Sequence, residues 1–177
     1  MKTSIFIEIC LLICLIVTCS ANAETLTGNN FQEIVKIANT FGEAKLVMPP
    51  ENDPYFEGKI GNILYNGFFT DCNSNVNCKS LILRMIYVNH GKSINEVNTF
   101  NANTKIGKLY IEDNNNLIFD FFINLEHGIL SDNLRSCFEW FFVGIQDVVK
   151  NIQKDTSSES KDLNSIKDRL RDKIFHK

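Results

Sequence analysis

The chain has 177 residues, 44% of them hydrophobic, and a formal net charge of −3 at pH 7. This length suits a single domain with its own hydrophobic core. The weak acidic balance gives no electrostatic footprint for nucleic acid and no basic patch for a membrane surface. The composition therefore argues against both kinds of partner.

The first 23 residues have the layout of a secretory signal peptide. Lys2 precedes an apolar run over residues 5–17, which only Glu8 interrupts, and Ala21-Asn22-Ala23 forms a small-x-small cleavage site. We predict cleavage after Ala23, no stable membrane span in the mature chain, and a periplasmic or secreted protein.

Two other interpretations of this segment remain open. An uncleaved anchor would need roughly 20 apolar residues, more than the run provides. A lipidated Cys19 would need a small residue directly before it, where Thr18 stands. The 22 asparagines include no Asn-x-Ser/Thr sequon, which favours a bacterial envelope over a eukaryotic secretory route.

Three cysteines remain after the predicted cleavage. Cys72 and Cys78 flank a polar loop, and in an oxidising compartment this arrangement favours a disulfide. Free thiols and a metal site are the alternatives, but zinc needs about four ligands and no second cysteine pair or nearby histidine pair exists. Cys137 lies in an apolar helical stretch, which is typical of a buried, inert thiol.

The first half of the mature chain predicts one helix and four strands. Apolar residues at three- and four-residue steps indicate a helix over 31–41, capped by Asn29 or Asn30 and closed by Gly42. Strands are predicted at 44–48, 55–60, 63–71 and 81–88. Both alternating sets of 81–88 are largely apolar, so we expect a central strand covered on both faces.

The second half predicts a helix, two strands and a long helix. Ser93 and Glu96 form a capping box that starts a helix ending near 102. Strands follow at 105–112 and 117–125, joined by a turn over 113–116. Ser131 or Asp132 starts the last helix, whose apolar stripe continues to about 153.

Two apolar side chains of the last helix, Trp140 and Val143, lie outside that stripe and are predicted to point away from the sheet. They form a candidate contact for a partner or a second copy, and the alternative is a tryptophan half-buried at the sheet edge. Residues 154–177 contain a serine-rich linker and then apolar residues at helical spacing. This tail is predicted to be either a marginal amphipathic helix or a disordered charged end.

The predicted fold is α+β, an antiparallel sheet with helices packed on it, in the order α-β-β-β-β-α-β-β-α. The sequence contains no motif for a catalytic, cofactor-binding or metal-binding site. His90 and His127 stand in predicted turns and His176 in the tail, and no serine occupies a nucleophile elbow. We therefore expect a protein without enzymatic activity or cofactor.

Five short phrases resemble, in their order, the YbjN family, described as bacterial sensory transduction regulators. They stand at Asp53–Gly58, at Leu81–Arg84 after the cysteine pair, at Val97–Asn101, at Lys108–Glu112 and at Leu125–Ile129. The resemblance covers residues 30–152 and departs at Phe100, where tryptophan is usual, and at His127, where a second glycine is usual. It implies a fold similar to type III secretion chaperones for a domain over 24–153, and it carries over no catalytic residue.

The resemblance and the export signal together lead to a functional expectation. We expect a non-enzymatic module in the bacterial envelope that binds a protein or peptide partner, with a homodimer through Trp140 and Val143 as one form of contact. A small-molecule-binding sensor and an enzyme of unrecognised type are the alternatives. Fold analogy supports the first expectation, and fold alone does not determine function.

Overall fold

The computed structural model describes residues 24–88 and 91–152. The predicted signal peptide, the tail, His90 and His176 lie outside these residues. Among the described residues, no helix is both long and apolar enough to cross a membrane.

A six-stranded antiparallel sheet forms the centre of the molecule, in the spatial order β2-β3-β4-β5-β7-β6. Its strands are β2 (Glu43–Val47), β3 (Tyr55–Ile60), β4 (Ile63–Thr70), β5 (Ser80–Tyr87), β6 (Lys108–Ile111) and β7 (Leu117–Asn124). Three helices accompany it: α1 (Phe31–Asn39), α2 (Ile94–Asn103) and α3 (Ser131–Ile152). The predicted α+β class with an antiparallel sheet and packed helices is confirmed.

Two very short strands, which the sequence analysis did not predict, extend the expected order of elements. Strand β1 (Thr25–Leu26) pairs antiparallel with β8 (Ile129–Leu130), directly before α3. The backbone amide of Ser131 also donates to the carbonyl of Glu24 at 2.8 Å. Two-residue strands are too short to show a sequence period, so only the folded structure reveals that residues 25–26 pair here.

The hydrophobic core lies between one face of the sheet and the helices. Phe138, Phe141 and Phe142 of α3 pack against sheet aromatics in tilted and edge-on contacts, including Phe56 and Tyr65. Each of these two sheet aromatics covers a glycine on the neighbouring strand, since Tyr65 lies opposite Gly58 and Phe56 opposite Gly67. A Cβ on either glycine would stand within 2.2 Å of the covering ring, so the close approach requires glycine.

The two shorter helices begin differently. Ser93 accepts from the amide of Glu96 and the Glu96 carboxylate accepts from the amide of Ser93, so the predicted capping box of α2 is confirmed. Asn30 stands at the N-cap of α1, but its side chain accepts from the amide and hydroxyl of Thr27 instead of capping the helix. The side-chain oxygen of Asn30 is thus already bonded to Thr27, and it does not cap the free amides of the first helical turn.

Two strand predictions need correction. The predicted strand 105–112 is shorter, because Gly107 has a positive φ of 68° directly before β6 begins at Lys108.

The expectation that β5 is covered on both faces is wrong. The strand is central, with Leu81, Leu83 and Met85 buried, but Ile86 on its other face is 44% exposed.

Candidate functional site

The face of the sheet opposite the helices is the most distinctive surface of the described molecule, and we call it the open face. Because side chains alternate across a strand, the register assigns each residue to one face. Strands β4, β5 and β7 give the open face a mainly apolar set: Leu64, Phe68, Ile82, Ile86, Ile118 and Phe122. Within residues 24–88 and 91–152, the core helices pack on the other face.

A charge network stands at the middle of the open face. Arg84 of β5 donates from Nε to Asp120 Oδ1 at 2.7 Å and from Nη2 to Asp120 Oδ2 at 2.8 Å, a bidentate pair across the strands. Tyr110 of β6 completes the network, since its hydroxyl lies 3.0 Å from both Arg84 Nη2 and Asp120 Oδ2. Bidentate charge-assisted bonds fix both geometry and charge.

The electrostatics of these groups follow from their positions. Hydrogen bonding to Asp120, opposed by partial burial, raises the pKa of Arg84 above its ordinary value. Burial and the neighbouring Asp120 carboxylate raise the pKa of Tyr110. Both shifts favour the protonated forms of Arg84 and Tyr110, and the Arg84–Asp120 ion pair lies within one chain.

Aromatic contacts extend this network across the sheet. The Arg84 guanidinium lies 5.6 Å from the ring centre of Phe68, and Phe68 in turn packs against Tyr55 of β3. On the other side, Lys108 Nζ lies 5.4 Å from the Tyr110 ring centre. A band of cation–π and aromatic contacts thus runs from β3 to β6.

Exposed apolar side chains flank the band on both sides. Leu64 is 68% exposed and Ile86 44% exposed toward one end of the strands, and Phe122 is 63% exposed toward the other. Between Ile86 and Tyr110, Ile118 is fully buried. Protein–protein interfaces are enriched in arginine and aromatic side chains, and the open face combines these residue types with exposed apolar side chains.

The outer strands β2 and β3 carry charges in opposite-sign register. Glu43 lies opposite Lys59, and Lys45 lies opposite Glu57. Cross-strand pairs of this kind are mildly stabilising. They keep this half of the open face close to neutral, whereas residues 24–152 as a whole carry ten basic against fifteen acidic side chains.

On each edge strand of the sheet, an asparagine side chain bonds the backbone of one residue. Asn39, the last residue of α1, donates to the carbonyl of Ala44 at 2.9 Å and accepts from its amide at 2.8 Å. Asn101 of α2 bonds Leu109 of β6 in the same way, at 2.8 and 2.9 Å. Each amide group occupies the backbone positions that a further strand would use, which opposes addition of a strand at these residues.

The predicted disulfide between Cys72 and Cys78 is present. Its loop fastens the N-terminal segment: Asn29 exchanges side-chain and backbone hydrogen bonds with Asn77, and the Cys78 amide donates to the carbonyl of Gly28 at 3.3 Å. The bridge therefore organises a structural corner, and it is compatible with an exported protein.

The other residues singled out from the sequence lie away from the open face. Trp140 on α3 is 54% exposed and Val143 is partly buried. Cys137 is a free, partly buried thiol whose pKa is raised by burial. His127 is exposed beside Gly128, and no group of three potential metal ligands occurs among residues 24–88 and 91–152.

Sequence reasoning missed the open face as a site. The signal was present in β5, where Ile82, Arg84 and Ile86 form the second alternating set, and in Ile118 and Phe122 of β7. That pattern alone predicts a strand covered on both faces, because apolar residues on both faces usually indicate burial.

No family model, curated protein or solved structure matches this chain.

Proposed function

We propose that this protein is an exported, non-enzymatic module that binds a protein or peptide partner in the bacterial envelope through the open face of its sheet. The fold is proposed to be that of a YbjN-like domain with a type III secretion chaperone-like arrangement, on the strength of the ordered sequence phrases. The predicted signal peptide and the disulfide support export.

The observation that carries this proposal is the combination of exposed apolar side chains with a satisfied charge pair. Leu64, Ile86 and Phe122 expose apolar surface to water, and this exposed surface does not stabilise the monomer. The Arg84–Asp120 pair is hydrogen-bonded within the chain, so covering it with a partner leaves neither charge unpaired. A partner that covers this face therefore gains apolar burial at a limited electrostatic cost.

Site-specific photo-crosslinking in the native envelope tests the proposal. A photoreactive aromatic amino acid replaces Phe122 on the open face, and the same group at Trp140 on the far side serves as the matched control. We expect a defined protein adduct from position 122 and a much weaker one from position 140. Adducts from position 140 alone, or none from either, would refute the open face as the binding surface.

A further inference from the structure

The open face has properties that favour one occupant, and we infer that this occupant is a second copy of the same chain, packed face to face as a two-fold sandwich. This inference rests on the proposed function, because it assigns a partner to the same surface. Four observations support it: the asparagines bonded to the edge strands, the balance of charge, the size of the face and its twist.

The asparagines on the edge strands disfavour one geometry of association. Two sheets can join by adding strands edge to edge or by stacking face to face. Asn39 occupies the backbone groups of Ala44 on one outer strand and Asn101 those of Leu109 on the other. Edge-to-edge joining would have to displace these side chains, whereas stacking leaves them in place.

The charge pattern of the open face is self-complementary. Its strand residues comprise four basic side chains, Lys45, Lys59, Arg84 and Lys108, against three acidic ones, Glu43, Glu57 and Asp120. The signs alternate in register, so a two-fold arrangement can place opposite charges of two copies near each other. A partner carrying charge of a single sign finds no matching field here.

The size of the face approaches what a stable contact needs. Its six strands contain between four and eight residues each, which gives the face an area of about 600 Å². Standard interfaces bury about 800 Å² per partner, and crystal contacts mostly bury less than about 400 Å². Two copies covering each other's face would together bury roughly 1,200 Å², which lies at the lower end of the range for specific dimers.

Twist supplies the shape complementarity. All β-sheets twist with the same hand, and two such sheets stack with their strands about 30° apart while the inner side chains interdigitate. Two copies of one sheet share the same twist and the same pattern of projecting side chains. Leu64, Ile86 and Phe122 then enter an apolar layer between the copies and leave water.

Sedimentation equilibrium of the full mature chain, with its disulfide intact, tests this inference. We expect a concentration-dependent dimer for the wild-type protein and at least a tenfold weaker dimer for Phe122→Ser. Trp140→Ser is the matched control, because this aromatic side chain is similarly exposed on the far side of the molecule. It should dimerise like the wild type.

Circular dichroism and the thermal midpoint show whether each variant is folded, and Leu64→Ser provides an independent open-face variant. A monomer at all concentrations, or a dimer that Trp140→Ser weakens and Phe122→Ser does not, would overturn the inference. A monomer that dimerises only after removal of residues 153–177 would also overturn it, since the occupant would then be the protein's own tail.

The photo-crosslinking experiment separates this inference from the proposed function. An adduct at position 122 with twice the monomer mass and only peptides of this chain supports the second copy. An adduct with a different protein in a chain that sediments as a monomer overturns the second copy and leaves the proposed function standing. The absence of any adduct at position 122 refutes both.

Discussion

At the scale of single residues, the Arg84–Asp120 pair is the most consequential polar contact of the open face. Its side chains are only about a quarter and a fifth exposed, at 26% and 19%. Removing one partner leaves the other charge partly buried without its bidentate bonds. The resulting loss of stability depends more on the desolvation of the remaining charge than on the lost attraction between the two charges.

We expect Asp120→Ala to lower the free energy of unfolding by about 2 kcal/mol, measured by urea denaturation. The double variant Arg84→Met, Asp120→Leu should lose less than this single variant, because neither charge then remains unpaired. Lys79→Ala is the control, since the Lys79–Glu126 pair is exposed and is worth at most about 1 kcal/mol. Equal losses for Asp120→Ala and Lys79→Ala would contradict the assigned role.

A second residue-scale prediction concerns Tyr65 in the core. Its hydroxyl has no hydrogen-bond partner among the described residues, and burial raises its pKa. A raised pKa means that the folded state keeps the proton more tightly, so this group's contribution to stability is present below about pH 10 and is lost as the pH rises further. The ionised phenolate favours the unfolded chain.

Tyr65→Phe should therefore be neutral or slightly stabilising at neutral pH, and it should reduce the loss of stability above about pH 10. Urea denaturation at neutral and alkaline pH measures both effects. Tyr87→Phe, on a partly exposed tyrosine at the end of β5, is the comparison. A clear destabilisation by Tyr65→Phe at neutral pH would show that the hydroxyl makes a stabilising bond.

At the scale of elements, the disulfide loop is the feature whose role extends beyond its own strands. The bridge closes a sequence separation of six residues, and the same loop holds the N-terminal segment through Asn29 and Asn77. Its loss should therefore release structure at a distance, because β1 follows the predicted cleavage site directly and pairs beside α3.

We expect the double variant Cys72→Ser, Cys78→Ser to be less stable by about 2 kcal/mol. Amide hydrogen exchange should show faster exchange at residues 25–30 as well as in the loop. Cys137→Ser is the control, since that thiol is not bridged. If protection at residues 25–30 is unchanged in the double variant, the loop does not hold this segment.

Several elements were predictable because their determinants are local. The capping box at Ser93, the turn at Asn115 with its positive φ of 62° and the bounds of β3 all follow from short sequence patterns. The pairing of β1 with β8 was not predictable, because the contact joins residues more than a hundred positions apart. Its strands are also too short to carry a period.

The open face lay beyond sequence reasoning for a different reason. Apolar residues on both sides of β5 are consistent with a second layer of the same chain or with a partner, and the pattern is identical in the two cases. The position of the three helices decided between them for the described residues. Trp140, by contrast, was correctly predicted to lie off the core stripe, and its exposure leaves its role as a contact a prediction.

At the scale of the whole molecule, the described residues form a two-layer arrangement with one side of the sheet left to solvent. One layer is the sheet, and the other contains α1, α2 and α3. An antiparallel sheet often leaves one face in water, and that face is then mainly polar. Here it exposes Leu64, Ile86 and Phe122 instead, which is typical of a contact surface. The proposed partner binding and the inferred dimer both rest on that single architectural feature.

The most direct measurement of this central claim is hydroxyl-radical footprinting of the natively isolated assembly, compared with the same protein at high dilution. The account predicts that oxidation of Phe122 and Leu64 is suppressed in the isolated assembly and recovers on dilution, while oxidation of Trp140 stays the same. Equal oxidation of Phe122 in both samples, with protection at Trp140 instead, would contradict it.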